Sequence, residues 1–148
     1  MIVEPQAFLQ LAKLLASGTP LPERLRTATG RAYYAAYNVI VQELGLLGIR
    51  ISASSMGHGE IVNFLGNSKD KELQTVSSSL STLQTNRNHA DYRLNVEEAE
   101  RQKNVQAHVE HADRIIATVK RCCCGPNRAN IIQAMREFDA INKGRSRS

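Results

Sequence analysis

Leu73, Val76, Leu80 and Leu83 recur at alternating steps of three and four residues. That spacing is the buried stripe of an amphipathic helix. The same register continues to Arg87, Ala90 and Leu94, so an arginine falls where the stripe asks for an apolar side chain. A guanidinium is costly to desolvate unless it is paired or faces a wet cleft. The pattern therefore predicts a helix over 69–92, with Arg87 either a structural ion-pair anchor or a functional group presented in a groove.

The rest of the chain reads as helix too. A first helix over 5–16 closes at Ser17-Gly18-Thr19-Pro20. Pro22, at a first-turn position, opens a long second helix to about residue 47. Its apolar face holds Leu25, Thr29, Ala32, Ala36 and Val39, flanked by Tyr33, Tyr37 and Ile40. A serine- and glycine-rich loop over 48–57 leads to a short helix over 58–65, ended by Gly66-Asn67-Ser68. Asn95 is placed to cap a fifth helix, with Glu97, Glu98 and Glu100 in its first turns and a stop at Gly125-Pro126. A last amphipathic helix over 127–142 shows Ile131, Ile132, Met135 and Phe138 on one side. No strand-like alternation and no internal repeat competes. The expected fold is all-α: an up-and-down helical bundle of four to five main helices plus a short C-terminal helix. Residues 1–125 make the bundle; 126–148 make the amphipathic helix and a basic tail.

At 148 residues the chain is large enough for one core. No apolar run approaches the roughly 20 residues needed to span a bilayer, and Met1-Ile-Val-Glu-Pro5 lacks a secretory n-region. The expectation is a cytoplasmic protein with no membrane association. Cys122, Cys123 and Cys124 are consecutive and point about 100° apart on a helix, so they cannot converge on one ion. Cys123 continues the stripe Val105, Val109, Ala112, Ile116 and Val119, and reads as a small core residue. His108 and His111 form an i,i+3 pair without a third ligand at metal-site spacing, so neither a metal nor a cofactor is expected. Residues 1–119 carry 12 basic and 12 acidic side chains, and the whole excess of +5 lies beyond them. Its carriers are Lys120, Arg121, Arg128, Arg136, Lys143, Arg145 and Arg147, against Glu137 and Asp139. Such a tail can track phosphates by counterion release or be a solvated terminus.

Arg87, Asn88, His89 and Asp91 form the leading candidate site. Arginine can hold a phosphate bidentately and stabilise charge developing on it, and histidine can move the proton of a ribose hydroxyl. His89 lies about 200° from Arg87 on an ideal helix, so the two cooperate only across a helix break or between two chains. A second group is Arg31-Ala-Tyr33-Tyr34-Ala-Ala-Tyr37, whose small residues admit a close helix neighbour. Arg31, Asp91, Tyr34 and Tyr92 are candidates for either holding a ligand or tying helices together, with an Arg31–Asp91 ion pair as the structural form. His58, after Met56-Gly57, reads as a helix-start or packing residue.

These segments in order, Arg31-Ala-Tyr-Tyr-Ala-Ala-Tyr37, Gly57-His58-Gly-Glu-Ile-Val-Asn-Phe-Leu65 and Arg87-Asn-His-Ala-Asp-Tyr-Arg-Leu94, resemble the HEPN superfamily. The likeness is to its small stand-alone members with R-x-Y-Y-A and R-x-x-A-D-Y motifs, over about residues 22–119. The resemblance implies a helical bundle, commonly a homodimer with a cleft between paired subunits. It implies an RNA-linked role, as a metal-independent ribonuclease of a toxin–antitoxin or anti-phage system. The alternative it carries is a non-catalytic module binding a nucleotide, RNA or a nucleotidyltransferase-type partner; a subunit acting through its dimer face is a third reading. In catalytic members a histidine follows the arginine after four to six residues. Arg87 matches that arginine and Asn88 the polar residue after it, whereas the histidine positions hold Tyr92, Arg93 and Leu94. His89 is the nearest histidine.

Overall fold

A computed structural model describes residues 2–146 of the chain. Among these the chain is an all-α helical bundle with no strand. The helices are α1 (Pro5–Ser17), α2 (Pro22–Leu46), α3 (Gly57–Gly66), α4 (Lys71–Tyr92), α5 (Gln102–Cys123) and α6 (Arg128–Ser146), with a 3-10 turn at Glu97–Glu100 before α5. The chain divides into two compact units, 2–39 with 79–116 and 40–78 with 117–146.

In the first unit α2 is covered on nearly every side. Leu25, Ala28, Thr29, Ala32, Ala35 and Ala36 are at most 1% exposed, and Arg26 and Tyr33 are also buried. Alanines, a threonine and a glycine make this possible, because small side chains let neighbouring backbones approach closely. Leu9, Ala12 and Ala16 of α1 and Val105, Val109, Ala112 and Ile116 of α5 complete that core. The α1 C-terminus is held by α5: the Gln102 amide donates to the carbonyls of Ala16 (2.9 Å) and Gly18 (3.2 Å). Lys13 pairs with Asp113 at 2.9 Å on the surface.

In the second unit α2 ends in a Schellman turn. Gly48 takes φ +86°, Ile49 N–H donates to Leu44 O (2.9 Å) and Gly48 N–H to Gly45 O (3.0 Å), with Leu44 and Ile49 both buried. α4 starts on an Asp70 cap, Oδ1 accepting from Leu73 N–H at 3.0 Å. Leu73, Val76, Ile61, Leu65, Val119, Cys123, Ile131 and Met135 form the core, so the α4 and α5 stripes bury as their spacing predicts. Phe64 of α3 meets Phe138 of α6 edge to face at 5.5 Å.

Two sequence expectations need correction. Asn95 caps no α-helix: residues 93–96 form a turn, Glu97–Glu100 is a 3-10 turn, Arg101 is extended and α5 begins at Gln102. The carbonyls of Arg93, Leu94 and Val96 are turned onto a side chain of α2, and the backbone bonds here are short-range ones, Val96 N–H to Arg93 O and Ala99 N–H to Val96 O. The C-terminal helix is longer than expected, reaching Ser146, so Lys143 and Arg145 sit on a helix; Arg147 lies outside the described residues.

Candidate functional site at the end of helix α4

The end of α4 is built around Arg26, which the sequence reading did not single out. Its guanidinium donates to the carbonyls of His89 (3.0 Å), Ala90 (3.0 Å), Arg93 (3.2 Å), Leu94 (3.1 Å) and Val96 (3.0 Å). It also makes an ion pair with Glu100 at 2.7 Å. The last carbonyls of a helix lack intrahelical donors, and a cation there also opposes the negative end of the helix dipole. One side chain thus fixes where α4 stops and how the chain leaves it. The signal was faint: Arg26 stands beside Leu25, off the apolar face that periodicity marks, and only full burial of α2 makes it a core residue.

Arg87 sits one turn earlier and is about one-third exposed. Its Nε pairs with Asp91 Oδ2 at 3.1 Å, and its Nη1 donates to Asn88 Oδ1 at 3.1 Å. The guanidinium lies over the rings of Tyr33 and Tyr92, 5.5 and 5.4 Å from their centroids. Nη2 has no hydrogen-bond partner among the described residues. Tyr33 is buried, and burial pushes its hydroxyl up to about 12 against the opposing pull of Arg87, so it stays neutral at physiological pH. Tyr92 is 71% exposed and Leu94 75%. Gly30 of α2 lets Asp91 approach: a Cβ there would stand 3.1 Å from Asp91 Oδ1.

The structure brings Arg87, Asn88 and Asp91 together and sets His89 apart. α4 is continuous through Tyr92, so His89 diverges from Arg87 by about 200°. Its imidazole has no hydrogen-bond partner among the described residues. The anticipated Arg31–Asp91 pair does not form, because Asp91 is taken by Arg87 four residues earlier on the same helix. Arg31 instead lies over the rings of Tyr34 (4.8 Å) and Phe8 (5.7 Å), which pack edge to face at 4.9 Å; Tyr34 is 42% exposed.

The other candidates serve packing or helix ties. Thr29 Oγ1 lies 3.1 Å from His108 Nδ1, and burial, reinforced by His111, holds His108 below its ordinary value. Burial lowers His111 and His58 likewise. Asp70, Glu72 and Cys122 bring oxygen and sulfur atoms within 4.8 Å of one another. Arg121 forks onto both Glu72 oxygens at 2.8 and 2.9 Å, and Asn127 donates to Asp70 Oδ2 at 3.0 Å. Arg128 donates to Leu46 O (3.1 Å) and Lys143 pairs with Asp139 (3.0 Å), so part of the C-terminal basic excess is spent within the second unit.

Compared with models of protein families, with curated proteins and with solved structures, the chain finds no match.

What the α4 site offers chemically is a partly exposed guanidinium with one edge unbonded among the described residues, near the rings of two tyrosines. It can grip an anion while an exposed ring stacks on a planar group. The groups beside it are the Asp91 carboxylate and the hydroxyls of Tyr33 and Tyr92, with His89 on another side of the helix.

Proposed function

We propose that this chain is a HEPN-like, RNA-associated module that holds RNA or a nucleotide at Arg87 and Tyr92 without cleaving it. The observation that carries the reading is the state of Arg87. Asp91 and Asn88 fix its orientation, Tyr33 and Tyr92 flank it, Nη2 stays open, and His89 stands on another side of α4. A phosphate on the open edge and a base on Tyr92 use this arrangement as it stands. A cytoplasmic setting beside a nucleotidyltransferase-type protein, or within a toxin–antitoxin or anti-phage system, belongs to the same reading and follows the motif resemblance.

A second reading has one observation in its favour. The His89 imidazole has no hydrogen-bond partner among the described residues, as expected of a group that acts across a homodimer cleft on a phosphate held by Arg87 of the other subunit. That arrangement is a metal-independent ribonuclease.

One experiment separates them: purified protein with fluorescently labelled single-stranded RNA in EDTA, followed by anisotropy and by gel. The binding reading expects saturable binding and intact RNA, with affinity lost in Arg87→Ala and Tyr92→Ala and retained in His89→Ala. Cleavage abolished by both Arg87→Ala and His89→Ala would establish the nuclease instead. Absence of both binding and cleavage would remove RNA from the reading.

A further inference from the structure

The second unit holds a cavity of about 490 Å³ between α3, α6 and the segment that follows the Schellman turn. This is a size typical of small-molecule sites, which run from roughly 300 to 1,000 Å³. Phe64 and Phe138 supply an apolar wall through their edge-to-face pair. Asn63 and Asn142 line it, and neither side-chain amide is bonded among the described residues.

Its charges decide what fits. Lys143 and Asp139 neutralise each other at 3.0 Å. Arg50 and Glu60 also line the cavity but do not pair. Glu60 spends Oε2 on the Ser52 N–H (2.6 Å), leaving Oε1 free among the described residues, and Arg50 has no hydrogen bond or ion pair among them. Opposite charges that face one cavity unpaired favour a guest carrying both signs. A dianion such as a phosphate ester would meet the two carboxylates unfavourably, and a purely apolar guest would desolvate the partly buried Glu60 without compensation and leave the exposed Arg50 unused.

We propose that this cavity binds a small zwitterion with an apolar body, of which a free aromatic amino acid is the simplest. Arg50 takes the carboxylate through charge-assisted hydrogen bonds, Glu60 Oε1 takes the ammonium, and the ring lies against Phe64 and Phe138. Asn63 and Asn142 close the rim with hydrogen bonds that suit either end of the guest. The site shares no residue with the α4 cluster and stands or falls independently of the RNA reading.

Calorimetric titration of the full chain with L-phenylalanine, N-acetyl-L-phenylalanine, L-phenylalaninamide and AMP tests this. L-Phenylalanine is expected to saturate one site, with each capped form weaker by at least roughly tenfold, since each loses a charged hydrogen-bond partner. Arg50→Ala should weaken L-phenylalanine and erase its advantage over the amide. Glu60→Gln, whose side-chain carbonyl still accepts from Ser52, should erase its advantage over the acetylated form. No saturation up to about 10 mM, equal affinity for capped and uncapped forms, or binding of AMP in its place would overturn the assignment.

Discussion

Replacing Arg26 by alanine tests the claim that one side chain terminates α4. The guanidinium is 10% exposed and makes seven contacts, five to carbonyls of residues 89–96 and two to one Glu100 oxygen. Five N–H groups share these contacts, so several are bifurcated and their energies do not add. Breaking a buried ion pair from one side costs about 3–5 kcal/mol, because the other charge is left uncompensated. Glu100 is one-third exposed and recovers some hydration, which argues for the lower part of that range. The orphaned carbonyls act the other way, at about 1–3 kcal/mol for each that water does not reach. The expected loss is about 3–5 kcal/mol, or roughly 10 °C in Tm for a domain of this size. Urea unfolding followed by circular dichroism measures it, and amide exchange should show protection lost first over residues 90–101. The double variant Arg26→Met with Glu100→Met separates the two contributions. If the ion pair dominates, the double variant recovers most of the loss; if the carbonyls dominate, it stays destabilised, as the geometry requires. A loss below about 1 kcal/mol in Arg26→Ala would refute the argument that this residue anchors the helix end.

Gly30→Ala should gain up to about 1 kcal/mol of helix propensity yet displace the Asp91 carboxylate, which is one-third exposed; stability, read by urea melts, should change little, and under the proposed RNA reading the affinity read by anisotropy should shift. Burial and the hydrogen bond to Glu72 raise the Cys122 thiol to about 12, and burial raises Cys123 to about the same value, whereas Cys124 is exposed. Colorimetric thiol titration at neutral pH should therefore find one fast thiol in the native protein and three in guanidinium. His108, His111 and His58 have folded values below the ordinary histidine value of about 6.5, so between the two values the unfolded chain binds more protons. Stability should rise as pH increases through that window and be fully present above about 6.5, and His108→Gln should flatten the slope in urea melts collected from pH 5 to 7.5.

The helices were legible because helical periodicity is local. The α4 stripe from Leu73 to Leu83 and the α5 stripe from Val105 to Cys123 are buried where three- and four-residue spacing put them. Pro22, Gly48 and Gly125 punctuate the chain through backbone preferences that each residue carries with it. His89's divergence from Arg87 followed from helix geometry alone, once α4 stayed unbroken. What the sequence could not disclose was which partner each polar group takes. Arg26 reaches carbonyls 63 to 70 residues away, and those contacts, with Ala99 buried, turn the expected first turns of α5 into a 3-10 turn. Asp91 had two arginines to choose from; the helical i,i+4 geometry gave it Arg87, while Arg31 settled over Tyr34 and Phe8. Spacing determines which face of a helix is apolar. Only tertiary packing determines what stands opposite that face, and the cost of burying an unpaired charge selects the partner.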